Sequence, residues 1–369
     1  MTTPITCEIF AHSDSIHLQQ LYTGFSALHK KGIIQLNQTT VKRDTIDEDA
    51  PPHLRDAKRS HLKVLLDRQY ILYYDTHDSF EIDAGILATV DVYFKRSYLE
   101  HAIGQLELKH RVFPLGLNYL VYRDGIDAFA MRRAALHKGL GRFRVLMRSV
   151  GIDYLVCPTR YTARVNRLES YPALTLPAKV LFMTRVYDPK EAGSRDKADE
   201  WELVNIMRAN CISLLKKEFG EKFLGGLSHD DYSRSKWADC LLADHRLANK
   251  SRYLKLLMEF PICVASTGLH GSTGWKLGEY VSQSKAIVTE PLMYSVPGRF
   301  EADRNYLEFS TPESCVECVT RLFTDYQLRC QLMMNNFRYY HSYVRPDSLV
   351  LNTLALAMSV DEKRRGRIP

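Results

Sequence analysis

Between Ser266 and Glu279 the chain gathers residue types suited to holding a phosphorylated ligand. Gly268, Gly271 and Gly274 carry no Cβ, so the backbone there can approach a ligand closely. His270, Ser272 and Thr273 lie among them as polar groups. Lys276 and Glu279 follow three residues apart, so a helix would show both on one face. The expected chemistry is a grip on a nucleoside diphosphate. Backbone N–H groups and Lys276 would meet the pyrophosphate, and Glu279 would accept from ribose hydroxyls. A surface Glu–Lys pair on an ordinary helix is the alternative that the same spacing allows.

Rival phosphate motifs do not fit. A Walker A loop needs G-x-x-x-x-G-K-[ST], whereas here Trp275 stands between Gly274 and Lys276, and Leu277 follows the lysine. The G-x-G-x-x-G fingerprint of dinucleotide sites is absent from the stretch as well. Cys315 and Cys318 form a lone CxxC, which without a second pair reads as two small residues on one helix face.

The elements that must position this loop are short and regular. Ile262 to Ala265 and Ala286 to Thr289 read as buried strands, with a helix from Trp275 to about Ser282 between them. The loop then lies at the carboxyl end of a strand and the amino end of a helix, where open α/β sheets bind ligands. The chain begins with a β-α-β unit: strand Ile5 to Phe10, helix His17 to Lys31, strand Ile33 to Leu36. Its strands should be parallel. His61 to Leu66 and Tyr70 to Tyr74 read as strands around the turn at Asp67-Arg-Gln, and Val90 to Phe94 as another, with Lys95-Arg96 at its end. Asp127 to Val150 has a long basic helical pattern with Arg132, Arg133, Lys138, Arg142, Arg144 and Arg148. It reads either as a solvated face or as a surface drawn to a membrane or an anionic acceptor. Pro158, Pro172 and Pro177 mark a connection between two α/β domains. Lys179 to Thr184 opens the second sheet, Asp199 to Phe219 is an amphipathic helix, and Leu241-Leu242 is a candidate strand. The expected division is 1–170, 171–345, and a terminal helix and tail over 346–369.

With 369 residues the chain has room for two domains. The net charge of +7 permits anionic ligands without calling for nucleic acid. The eight scattered cysteines fit a reduced, cytoplasmic setting. No segment approaches the roughly 20 apolar residues of a spanning helix. Met1 to Cys7 lacks the regions of a signal peptide.

The second half resembles the nucleotide-sugar domain of GT-B glycosyltransferases of the group 1 type. The likeness rests on Thr184-Arg185 at a strand end, Phe223-Leu-Gly-Gly226, and Gly274-Trp-Lys-Leu-Gly-Glu279. Lys285-Ala-Ile-Val-Thr-Glu-Pro-Leu292, Asn305-Tyr-Leu-Glu-Phe309 and the helix through Asn336-Phe-Arg-Tyr-Tyr-His-Ser-Tyr343 extend it. The first half, with Tyr74-Asp-Thr-His-Asp78, resembles the acceptor domain more loosely. The resemblance implies two Rossmann-like α/β domains facing a central cleft. It implies a nucleotide-sugar donor and a hydroxyl acceptor on a glycan, a lipid-linked carrier or another molecule. Relatives of this kind often build bacterial surface polysaccharides. The expected setting is cytoplasmic, from the cysteine usage, and the basic 132–148 segment offers either a solvated face or peripheral contact at the inner face of a membrane.

Residue by residue, the likeness places Arg185 where a cation would stabilise the departing diphosphate. Glu279 matches the second glutamate of the E-x7-E pattern of retaining relatives, but Gly271 stands at the first, so the stereochemical outcome is open. An inverting reaction needs a base from the first domain, and His12, Asp14 and Asp78 are the strand-end candidates. Each also reads as a structural residue. Asp47-Glu-Asp49 spells the DxD of the other glycosyltransferase fold, but in a polar loop, so it reads as a solvated cluster and no metal or cofactor is expected. A non-catalytic scaffold for a glycan or protein, and a sugar-nucleotide epimerase, are the alternative functions on such a fold.

Overall fold

The chain enters the first sheet through a β-α-β unit built from two hydrophobic periods. β1 (Ile5–Ala11) buries Cys7, Ile9 and Ala11, and β2 (Ile34–Thr40) buries Ile34 and Leu36, at the two-residue spacing of strands. The Gln19–Lys30 helix between them buries Leu21, Phe25 and Leu28 at helical spacing. β1 and β2 pair in parallel, as expected. The computed structural model describes residues 4–41, 60–155 and 163–364. Asp47-Glu-Asp49 and Pro158 fall outside the described residues.

The first sheet continues with β3 (His61–Leu66), β4 (Tyr70–Asp75), β5 (Val92–Lys95) and β6 (Val112–Pro114), in the order β2-β1-β3-β4-β5-β6. It is mixed. β3 runs antiparallel to β1 and to β4, the latter because Asp67 and Arg68, at φ 48° and 58°, make a tight left-handed turn of the hairpin kind.

The second sheet has five strands in the order β11-β10-β9-β7-β8, and every adjacent pair is parallel. These are β7 (Val180–Thr184), β8 (Phe223–Leu227), β9 (Ile262–Ala265), β10 (Ala286–Thr289) and β11 (Tyr306–Glu308). Its central strands are buried on both faces, which is why they read as unbroken apolar runs. Val180, Phe182, Ile262, Val264, Ala286 and Val288 share one core with the Arg195–Phe219 and Pro312–Thr324 helices. Leu181, Met183, Cys263 and Ile287 face the opposite core with the Lys250–Glu259 and Trp275–Ser282 helices. Each such aliphatic side chain contributes roughly 1.5–3 kcal/mol when fully buried, so these alternating strands anchor the loops at their ends.

That second core extends across the halves. Leu117, Tyr119 and Val121 pack with Leu277 and Tyr280. A Cβ at Gly278 would stand 3.1 Å from the Asn118 carbonyl and from Tyr119, so the glycine lets the Trp275–Ser282 helix lie against the first domain. The Pro346–Arg364 helix returns to the first sheet. Leu349, Val350, Leu354 and Ala357 join its core, and Tyr74 and Thr353 share a hydrogen bond at 2.9 Å. The architecture is α/β, with two Rossmann-like domains facing a cleft.

Two expected elements differ. The basic stretch is not one helix but Ala128–Arg133 and Gly139–Ser149, broken at His137-Lys138 and at Gly139, whose φ is 50°. Leu241 makes a single bridge to Leu227 in place of a strand.

Candidate active site between the domains

In the second sheet the chain runs from β7 outward to β8, then crosses back to β9 on the other side of β7. This is the 2-1-3-4-5 order, whose connections leave β7 in opposite directions and open a crevice at the carboxyl ends of β7 and β9. Arg185 follows β7 there, and Ser266 to Gly274 follow β9.

One buried arginine joins the two strand ends. Arg208, inside the Arg195–Phe219 helix, donates to the Arg185 carbonyl at 2.6 Å, the Ser266 hydroxyl at 2.9 Å and the Thr267 carbonyl at 2.7 Å. Burial lowers its pKa, and the nearby Tyr187 and Glu290 act against that shift. Glu290, just past β10, accepts from the Thr267 N–H at 2.8 Å. The loop then turns tightly. Gly268 N–H donates to the Ser272 carbonyl at 2.7 Å, and Tyr294 donates to the His270 carbonyl at 2.7 Å. Glu200 accepts from the His270 N–H at 2.6 Å. His270 is left-handed at φ 59°, and its half-exposed imidazole lies with Nδ1 3.8 Å from the Glu200 carboxylate.

The three charged groups expected here take different positions. Arg185 is exposed, stacks its guanidinium 5.1 Å over Tyr187, and pairs with no carboxylate among the described residues. Lys276 reaches back to β7 and donates to the Met183 carbonyl, with its ammonium 4.8 Å from the Tyr253 ring centre. Burial brings its pKa down to about 8, against the pull of Glu279. Glu279 is buried and ion-paired with Lys250 of the preceding helix. Lys276 and Glu279 therefore share one helix but do not bond each other. The Trp275–Ser282 helix has no side-chain cap at Gly274, so its first N–H groups face the crevice end unpaired by such a cap.

The first domain closes the other wall. Arg96, just past β5, is buried; it ion-pairs with Asp78 and donates to the Thr273 carbonyl at 2.8 Å. His17 packs edge-on against Trp275, with ring centres 4.8 Å apart. Its Nδ1 is buried and meets no hydrogen-bond partner among the described residues. Burial, helped by Arg96, lowers its pKa, which keeps the imidazole neutral. Beneath them Asp75 and Lys95 form a buried ion pair at 2.7 Å in adjacent register.

The three candidate bases separate. Asp14 is not one: its side chain is 1% exposed and held by Arg133 at 3.0 Å and Arg148 at 2.7 Å. Burial would raise its pKa, but His137, the two arginines and Gln19 outweigh that and hold the carboxyl well below the usual range. A carboxylate so stabilised is a poor proton acceptor. His12 stacks on His61 at 4.2 Å, just past β1. Asp78 remains half-exposed but engaged by Arg96.

Arg208, Arg96 and His17 were not among the expected site residues. Arg208 had a readable signal: it takes a core position in a helix stripe with Asn205, Ala209, Ile212 and Leu215. A cation at such a spacing needs buried partners. A separate concavity lined by Arg299, Arg304 and Arg338 lies by Asn305, at the amino end of β11 and so at the opposite end of the parallel strands from the crevice.

No protein-family model matches the chain, and no curated protein matches it. Several solved structures are similar to it at low identity. A glycosyltransferase from Rickettsia africae has a TM-score of 0.41 and 10% identity over 93% of this chain and 81% of that one. The C-terminal domain of a glycosyl transferase group 1 family protein from Francisella tularensis gives 0.32 and 12%, over 48% of this chain and 96% of that one. A TarM mutant from S. aureus, in complex with fondaparinux, alpha-GlcNAc-glycerol and UDP, gives 0.40 and 12%, over 73% of this chain. The chain spans 44% of the length of that TarM structure. At such TM-scores, function has to be read from this chain's own site.

Proposed function

We propose that the chain is a glycosyltransferase that moves a sugar from a nucleotide diphosphate donor to an acceptor hydroxyl held by the first domain. The observation that carries this is Arg185: an exposed guanidinium without a carboxylate partner among the described residues, at the topological switch point beside a glycine loop. An unpaired cation held at that position by the Arg208 clamp suits a diphosphate. In this reading the uncapped N–H groups of the Trp275–Ser282 helix and Lys276 share the phosphate charge. Glu279 takes the ribose hydroxyls by exchanging part of its contact with Lys250.

As the glycosidic bond to phosphate breaks, negative charge grows on the departing diphosphate. Arg185 and Lys276 stabilise it, with no metal ion or other cofactor in the reading. Among the strand-end candidates Asp78 keeps a half-exposed carboxylate beside Arg96 in the cleft, and in this reading it takes the acceptor proton. The setting in this reading is cytoplasmic, at the inner face of a membrane, with a surface polysaccharide or lipid-linked acceptor.

A thermal-shift screen with UDP-, GDP-, dTDP- and CMP-linked sugars tests the donor site, since a ligand of the native state raises its melting temperature. No shift with any of them sinks the reading. A second reading, a non-catalytic scaffold, is favoured by Gly271 at the first glutamate position of the E-x7-E pattern. Sugar transfer or donor hydrolysis in the same panel excludes it.

A further inference from the structure

The Gly139–Ser149 helix is apolar on the wrong side. Val145 and Ser149 face inward and are buried. Leu140, Phe143 and Leu146, at helical spacing, face outward and are 58%, 47% and 37% exposed. At 3.6 residues per turn, Arg142 and Arg144 project to either side of this outward stripe, and both are exposed. Lys138 and Arg132, also exposed, extend the positive field. No Asp or Glu occurs between Asp127 and Asp153. The remaining arginines, Arg133 and Arg148, are spent inside on Asp14. Arg148 ties this helix, and Arg133 the preceding one, to Asp14 just past β1, so the stripe is presented by a fixed element of the first domain.

A soluble helix places charge outward and apolar residues inward. Here the outward face carries Leu, Phe and Leu between two arginines, the pattern of a helix lying in a membrane interface. We propose that this helix docks the first domain on an anionic lipid surface, with Leu140, Phe143 and Leu146 entering the headgroup boundary and Arg142 and Arg144 meeting lipid phosphates. The charge decides the occupant. A second copy of the same face would set arginines against arginines without any carboxylate to offset them. An anionic leaflet offers the complementary charge. Among the described residues no helix is long and apolar enough to cross a membrane, so the contact is one of lying on the surface. This deepens the membrane placement within the proposed transferase reading, yet the two can fail separately.

The test is sedimentation of the full chain with vesicles of phosphatidylcholine alone, or of equal parts phosphatidylcholine and phosphatidylglycerol. The chain should pellet with the anionic vesicles and be released by added salt. Phe143→Asp should weaken that binding by about tenfold or more, and Arg142→Glu with Arg144→Glu should abolish its salt sensitivity. These side chains are exposed, so each variant should keep the parent's melting temperature and its nucleotide-sugar shift. Failure of the parent to bind anionic vesicles overturns the docking proposal, as does a Phe143→Asp variant that binds like the parent. A parent that forms dimers broken by Phe143→Asp, without binding vesicles, overturns it in favour of self-association. Loss of the nucleotide shift in the parent strikes the transferase reading alone.

Discussion

The Arg96 guanidinium donates to the Thr273 carbonyl at 2.8 Å, which joins the end of β5 in the first domain to the glycine loop of the second. Its other arm holds Asp78. Burial lowers the Arg96 pKa, with Asp78 the chief opposing charge. The contact sets the geometry of the crevice from across the domain boundary.

Arg96→Leu removes both bonds and leaves the Thr273 carbonyl without its donor. The variant should lose about 2 kcal/mol of stability, because charge-assisted bonds to a half-exposed carboxylate and a buried carbonyl are both given up. Urea denaturation measures this. The glycine loop loses its tie to the first domain, so nucleotide affinity should fall as well. A variant with the parent's midpoint and affinity would show that the contact does nothing.

Arg185→Ala separates binding from folding. The side chain is exposed and has no ionic partner among the described residues, so stability should change by less than about 0.5 kcal/mol. Loss of one charge-assisted contact to a diphosphate should weaken binding by about tenfold. Calorimetry with the nucleotide found by the thermal-shift screen reads it. Equal affinity in the two proteins would remove Arg185 from the donor site.

The pH dependence of donor binding should follow Lys276. Burial lowers its pKa from 10.5 to about 8. Between those two values the unfolded chain keeps a proton that the folded chain has lost. Stability from this group therefore rises as pH climbs from about 8 towards 10.5, because the buried charge is relieved. Diphosphate binding runs the other way, since it needs the ammonium. Affinity measured at about pH 7 should exceed that at about pH 9.5, and Lys276→Met should flatten the difference. A parent whose affinity stays constant over this range would mean that Lys276 does not meet the ligand.

Much of the second domain is legible because its information is local. Ile262 to Thr289 contains two apolar runs, a glycine turn and a helix start, and each forms as read. The charge partners are not local. Asp14 looks like a strand-end acid, but its arginines come from 119 and 134 residues away. Lys276 and Glu279 share a helix face, yet one bonds the Met183 carbonyl on β7 and the other Lys250 on the preceding helix. Arg185 nears the glycine loop only because β7 and β9 pair, which no short spacing encodes. His17 lies in a helix-start segment that is unremarkable in sequence, and its packing partner, Trp275, comes from the other domain.

Gly271 offers the sharpest test of how the loop is built. It is left-handed at φ 63°, and a Cβ there would stand 2.7 Å from the Met293 sulfur. Gly271→Ala should therefore cost roughly 1–3 kcal/mol, from backbone strain together with displacement of Met293. Gly271→Glu, which creates an E-x7-E spacing to Glu279, should be at least as unstable and should not gain activity. Any side chain at 271 meets the same left-handed backbone and the same Met293 contact. Pairing Gly271→Glu with Met293→Ala relieves the contact but leaves the strain. Melting temperatures of the three variants separate the two costs. If Gly271→Ala melts with the parent, the left-handed turn is not required, and the loop can accept a side chain at this position.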